Sequence, residues 1–124
     1  MFTLIPTVAL LAGLSAALPT YKTPAAAAGA TIYTSKHFAG DSTAIPANAW
    51  CTDLSSIFGD FDGHVRSLAV EKGYQCQFFL DRGCPDKAPP SRKLDFSCTD
   101  SDVMKPDLGP AFDFKMRSAY CALI

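Results

Sequence analysis

Past its first residues this chain has no apolar run near the roughly 18 residues that a membrane span requires. It has no excess of either charge. Eleven Lys and Arg stand against twelve Asp and Glu, for a net charge of −1. Such a balance projects no large field toward nucleic acid or an anionic membrane. His-Glu-x-x-His, the Gly-x-Ser-x-Gly elbow and a Gly-rich phosphate loop are all missing. The Cys76 to Cys84 gap is too long for a zinc knuckle, and no His-x-x-x-His accompanies it. Only His37 and His64 offer a histidine base, and surface or hairpin contacts account for either more simply. Twelve acids allow many carboxylate pairs, but so small a chain rarely encloses the cleft that sugar hydrolysis needs. The residues point away from an enzyme, and no cofactor is expected.

What the chain does have is one phrase used twice. Residues 61–70 read FDGHVRSLAV and residues 112–121 read FDFKMRSAYC. Upstream of each stands Cys-Thr-Asp, at Cys51 and again at Cys98. An aromatic opens each copy, Tyr33 and then Phe79. The aromatics lie 46 residues apart, the cysteines 47 and the Phe-Asp-x-x-x-Arg-Ser phrases 51. Three landmarks in one order mark two copies of a supersecondary unit, the second with a short insertion late in its length. That insertion falls around Lys105 to Pro110.

Residues 1–17 carry no charged side chain, and small residues, Ser15 and Ala17, follow their apolar run. This is expected to be a secretory signal peptide. Residues 18–29 are rich in Pro and Ala and read as a linker or pro-segment. The remainder, 30–124, reads as one domain of two repeats, 30–74 and 75–124. Five cysteines in a small secreted chain imply disulfides. From the residues alone the pairing is open, and so is the fate of the odd thiol.

Strand patterns cover Thr31 to Thr34, Ser67 to Val70, Gln75 to Leu80 and Ser118 to Ile124. No segment of a dozen residues shows a 3.6-residue apolar period. The stretch Asp53 to Phe58 fits one helical turn. Short strands between turn residues predict an all-β sandwich, in which two small repeats pack on each other.

Tyr33-Thr34-Ser35-Lys36-His37-Phe38-Ala39-Gly40 resembles the aromatic-x4-aromatic-x-Gly signature of a βγ-crystallin Greek-key motif. Ser67 then stands where that family places the serine of its closing strand. The resemblance covers nearly all of 30–124 and implies a two-sheet Greek-key β-sandwich, stabilised here by disulfides. In that fold Gly40 would permit a folded-over hairpin and the Ser67 hydroxyl would tie it down. In the second copy Phe79 and Ser118 match. Cys84 replaces the second aromatic and Asp86 the glycine.

The resemblance also implies where calcium would bind, through a six-residue phrase in each repeat. The matching phrases run Asp62 to Ser67 and Asp113 to Ser118. Both keep the first acid and the last serine. Both lose the second acid, to Gly63 and Phe114, and a hydroxyl, to Arg66 and Arg117. Calcium takes six to eight oxygen ligands, so these degenerate phrases at Asp62, Ser67, Asp113 and Ser118 are expected to hold no metal tightly. The arginines are expected either to pair with Asp62, Asp113 or a nearby acid, or to point to solvent.

In the family topology the third strand of each repeat joins the sheet of the other. That topology implies bridges Cys51–Cys121 and Cys76–Cys98, with Cys84 left over for a possible dimer. The Pro-rich, basic stretch 82–93, with Arg82, Lys87, Arg92 and Lys93, is the candidate binding loop. The leader, size and cysteines resemble small secreted proteins of filamentous fungi. The expected function is a secreted, effector-like, non-enzymatic protein that binds an extracellular protein or cell-surface component. A secreted protease inhibitor using 82–93 is the alternative, and a killer-toxin-like antimicrobial is a further one.

Overall fold

The computed structural model describes residues 28–124. The signal peptide expected at 1–17, and the linker expected at 18–29 up to residue 27, lie outside the described residues. Residues 28 and 29 belong to the first strand instead.

Eight strands follow in chain order: β1 (Ala28–Ser35), β2 (Ala39–Pro46), β3 (Cys51–Asp53), β4 (Ser67–Val70), β5 (Tyr74–Phe79), β6 (Lys93–Ser97), β7 (Val103–Lys105) and β8 (Ser118–Leu123). They form two four-stranded sheets, ordered β2-β1-β4-β7 and β3-β8-β5-β6, and every pairing is antiparallel. Each repeat lends its third strand to the other's sheet: β3 lies beside β8 and β7 beside β4. Neither repeat can therefore complete a sheet alone. The expected helical turn at 53–58 narrows to a 3₁₀ turn at Leu54–Ser56, with Leu54 buried.

The core lies between the sheets. Ile32, Leu68 and Val70 come from one, and Cys76, Phe78, Ala119 and Cys121 from the other. Strand alternation puts every second residue inward. The two phrases supply Phe61, Val65, Phe112 and Met116 at the same pattern positions. Burying a side chain of the Val, Leu or Phe type contributes about 1.5–3 kcal/mol. The sheets approach closely at Gly29, where a Cβ would stand 2.9 Å from the Cβ of Cys121.

The expected disulfides are corrected on every point. The bridges are Cys51–Cys84 and Cys76–Cys121, and the free thiol is Cys98, which is buried. Register is the reason. Cys51 stands opposite Tyr120, so Cys121 points to the other face of the sheet. Cys121 instead faces Cys76 directly across β5–β8, with Cα atoms 4.1 Å apart. Cys98 lies past the end of β6, with its amide on the Tyr74 carbonyl, out of step with Cys76. Cys84, bonded to Cys51 over 5.8 Å between Cα atoms, has no thiol left for a dimer bridge.

Candidate functional site

The two repeats build their hairpins alike. After β1 the chain turns through His37 and Phe38, both at φ +59°, and Gly40 at +80°. A Cβ at Gly40 would meet the Thr34 and Ser35 hydroxyls at 2.6 and 2.7 Å, so the position requires glycine twice over. Ser67 Oγ donates to the Ser35 carbonyl at 2.6 Å and accepts from the Phe38 amide at 3.1 Å. Tyr33 and Phe38 pack edge to face, with centroids 5.6 Å apart.

Ser118 repeats the clamp: its Oγ donates to the Asp81 carbonyl and accepts from the Cys84 amide at 3.1 Å. Cys84 occupies the place of Phe38 and takes the same left-handed backbone, φ +47°. Its disulfide to Cys51 replaces the aromatic corner as the hairpin's anchor. Asp53 adds another tie by accepting the Gly83 amide at 2.7 Å. Sequence motifs give Asp53 and Asp81 no role, although Asp81 stands two residues after the opening aromatic, as Ser35 does.

The Asp-to-Ser phrases meet across the repeats. Gly63 donates its amide to the Met116 carbonyl and Phe114 to that of Val65, at 2.9 and 3.1 Å. Gly63 and Phe114, the second positions of the two phrases, are both left-handed, at φ +77° and +64°. This crossing exchanges the charges. Arg66 forks onto Asp113, with Nε at 3.0 Å and Nη2 at 2.9 Å. Arg117 forks onto Asp62 with both contacts at 3.1 Å. Each arginine thus neutralises the acid of the other phrase, and neither points free into solvent.

Arg82 also reaches Asp62, at 3.0 Å. The Arg117 guanidinium, helped by Arg82, holds the Asp62 carboxyl below its usual range against the opposing effect of partial burial. Arg66 lies 4.3 Å over the Phe114 ring, so two of the four departures from the calcium phrases, one from each repeat, pack on each other. Two carboxylates already forked by guanidinium offer a cation little unspent oxygen. Among the described residues no three His, Cys, Asp or Glu side chains converge as metal ligands.

Three of the four bases in the candidate loop are held by acids outside it. Arg82 holds Asp62, Arg92 forks onto Asp81 with both contacts at 2.9 Å, and Lys93 lies 3.6 Å from Asp95. Arg92 lowers the Asp81 carboxyl below its ordinary value. Lys87 is exposed and makes no ion pair among the described residues. Between these anchors the loop closes on two turns, Ala88 amide to Pro85 carbonyl and Arg92 amide to Pro89 carbonyl.

The insertion at 105–110 packs back on repeat one. Pro106 accepts the His37 amide at 2.9 Å, Asp107 meets Lys36 at 3.2 Å, and Leu108 is buried. His37 is therefore a hairpin-tip residue, and His64 stands 3.4 Å from Asp60. Among the described residues no helix is long and apolar enough to cross a membrane.

No family model matches this sequence, and no curated protein matches it. Solved structures do. A βγ-crystallin domain from Flavobacterium johnsoniae aligns with a TM-score of 0.59 at 18% identity, over 77% of this chain and 94% of that one. One from Clostridium beijerinckii gives 0.59 at 17%, over 76% and 97%. A βγ-crystallin from Ciona intestinalis gives 0.56 at 19%, over 73% and 95%. With two serine-clamped hairpins, exchanged third strands and these likenesses, this chain has the βγ-crystallin fold.

Proposed function

We propose that this chain is a secreted, non-enzymatic binding protein that acts on an extracellular macromolecule through loop 82–93. One observation carries the reading: the loop is fastened at both ends and exposed between them. Cys84 is held by Cys51 and Ser118, and Arg92 by Asp81, while Asp86, Lys87 and Pro89 to Ser91 are exposed. A loop ordered before binding loses little entropy when a partner seats on it. Two disulfides in so small a domain suit an oxidising compartment.

The loop's shape favours this reading over a protease inhibitor. Its two turns fold the 85–92 apex back on itself, whereas a chain added to a protein as a strand lies extended. The test compares wild type with Lys87→Glu in quantitative capture from extracellular fluid, beside inhibition of serine, cysteine and metallo-proteases. A partner retained by the wild type and lost on Lys87→Glu at unchanged Tm is expected. Stoichiometric inhibition of any protease in the panel would overturn the choice in favour of an inhibitor. Capture indifferent to the loop would remove 82–93 as the site.

A further inference from the structure

Phe58 is 99% exposed, an extreme for an aromatic ring. It is one wall of a groove of about 340 Å³, lined also by Asp41, Ser42, Thr43, Gly59, Asp60 and Phe61. Asp41, Ser42 and Thr43 are consecutive residues of β2. Successive strand residues point to opposite faces, so a groove lined by all three runs along the strand's edge. That edge is open: β2 is outermost in its sheet and pairs with β1 alone.

Proteins usually blunt such an edge with charged side chains, proline or a bulge. Here a register shift between Ser42 and Ala39, with the Asp41 amide on Thr34 Oγ1 at 2.9 Å, closes one end of β2 and Pro46 the other, which leaves Ser42 to Ile45 as the open length. The groove is also negative. Asp41 makes no ion pair among the described residues, and Asp60 has only the His64 imidazole at 3.4 Å.

We propose that this groove docks an extended segment of a partner polypeptide, added as a strand beside β2. An apolar side chain of that segment packs on Phe58, and its Lys or Arg side chains meet Asp41 and Asp60. The main-chain hydrogen bonds of the new ladder supply adhesion, and the ring and the two acids supply selection. A second copy of this chain would bring a groove of the same sign, and like charges oppose that pairing. The site uses no residue of loop 82–93, so it stands or falls separately from the function proposed above.

The probes are fluorescein-labelled ten-residue peptides that alternate Lys or Arg with Val, Ile, Leu or Phe. Controls carry Glu at the basic positions or Pro at the central ones. Anisotropy gives affinity, and amide chemical shifts locate the site. The expected result is binding that perturbs 41–45 and 58–61, with the Glu and Pro peptides weaker by about tenfold or more. Phe58→Ser, and Asp41→Lys with Asp60→Lys, should each lose about tenfold. All three positions are exposed, so the variants keep the fold, which Tm checks. Absence of binding by every peptide would overturn the proposal. So would equal binding of the Pro peptides, affinity indifferent to Phe58→Ser, or sedimentation showing that the groove is filled by self-association.

Discussion

Replacing Ser67 by alanine should unfasten the first hairpin and little else. The hydroxyl is buried and bonds the Ser35 carbonyl and the Phe38 amide. Alanine orphans both groups, and an unsatisfied buried polar group costs about 1–3 kcal/mol. His37 and Phe38 hold left-handed backbones, at about 1–2 kcal/mol each for residues with a Cβ. Once unclamped the hairpin can relax out of that geometry, which offsets part of the loss. The expected loss is about 2–4 kcal/mol, or roughly 10–25 °C in Tm for a domain of this size. Denaturant unfolding measures it, with unchanged m-value, and hydrogen exchange should show the Phe38 amide losing protection. Ser101→Ala, on an exposed loop, should stay within about 0.5 kcal/mol. A Ser67→Ala loss no larger than that control, with the Phe38 amide still protected, would refute the clamp.

Four further outcomes follow from the same geometry. Double-mutant cycles should couple Arg66 to Asp113 and Arg117 to Asp62; coupling of Arg66 to Asp62 instead would contradict the crossed pairing. Asp62 and Asp81 have folded pKa values below their ordinary ones. Their stabilisation is present above the unfolded carboxylate value and is lost as pH falls through the lower folded values. Urea midpoints should therefore fall on acidification below the ordinary carboxylate range, and less so in Arg117→Ser, which leaves Asp62 with Arg82 alone. Non-reducing peptide maps should join Cys51 to Cys84 and Cys76 to Cys121, with Cys98 alkylated only on unfolding, since burial hides it and raises its pKa. Their separations of 33 and 45 residues give about 4 kcal/mol each by loop entropy, and a loss below about 1 kcal/mol on Cys51→Ala with Cys84→Ala would contradict that figure.

The hairpin was legible because its constraints are local. Gly40 needs its backbone freedom within a few residues of Phe38, so signature and geometry coincide. Cys84 and Asp86 looked like decay of the second signature. Cys84 nevertheless keeps the backbone of Phe38 and its amide hydrogen bond to the clamping serine, and exchanges one anchor for another. The exposure of Phe58 is not legible in the sequence, where it ends the expected helical turn, because a phenylalanine beside Ile57 looks like core. Exposure is a property of the packed molecule and is not carried by a residue type.

Repetition, alternation and turn chemistry are written along the chain, and by themselves they determined an all-β sandwich of two repeats with Ser67 and Ser118 at equivalent places. Partner choice was decided only in three dimensions. Whether Cys121 meets Cys51 or Cys76 depends on a register step of one residue, which reverses the face a side chain occupies. Whether Arg66 serves its own acid or the other repeat's depends on how the phrases cross, through hydrogen bonds donated by the Gly63 and Phe114 amides between residues about fifty apart in sequence. The positions of bonding groups are set in the sequence, but their pairing is set by the fold that brings distant segments into contact.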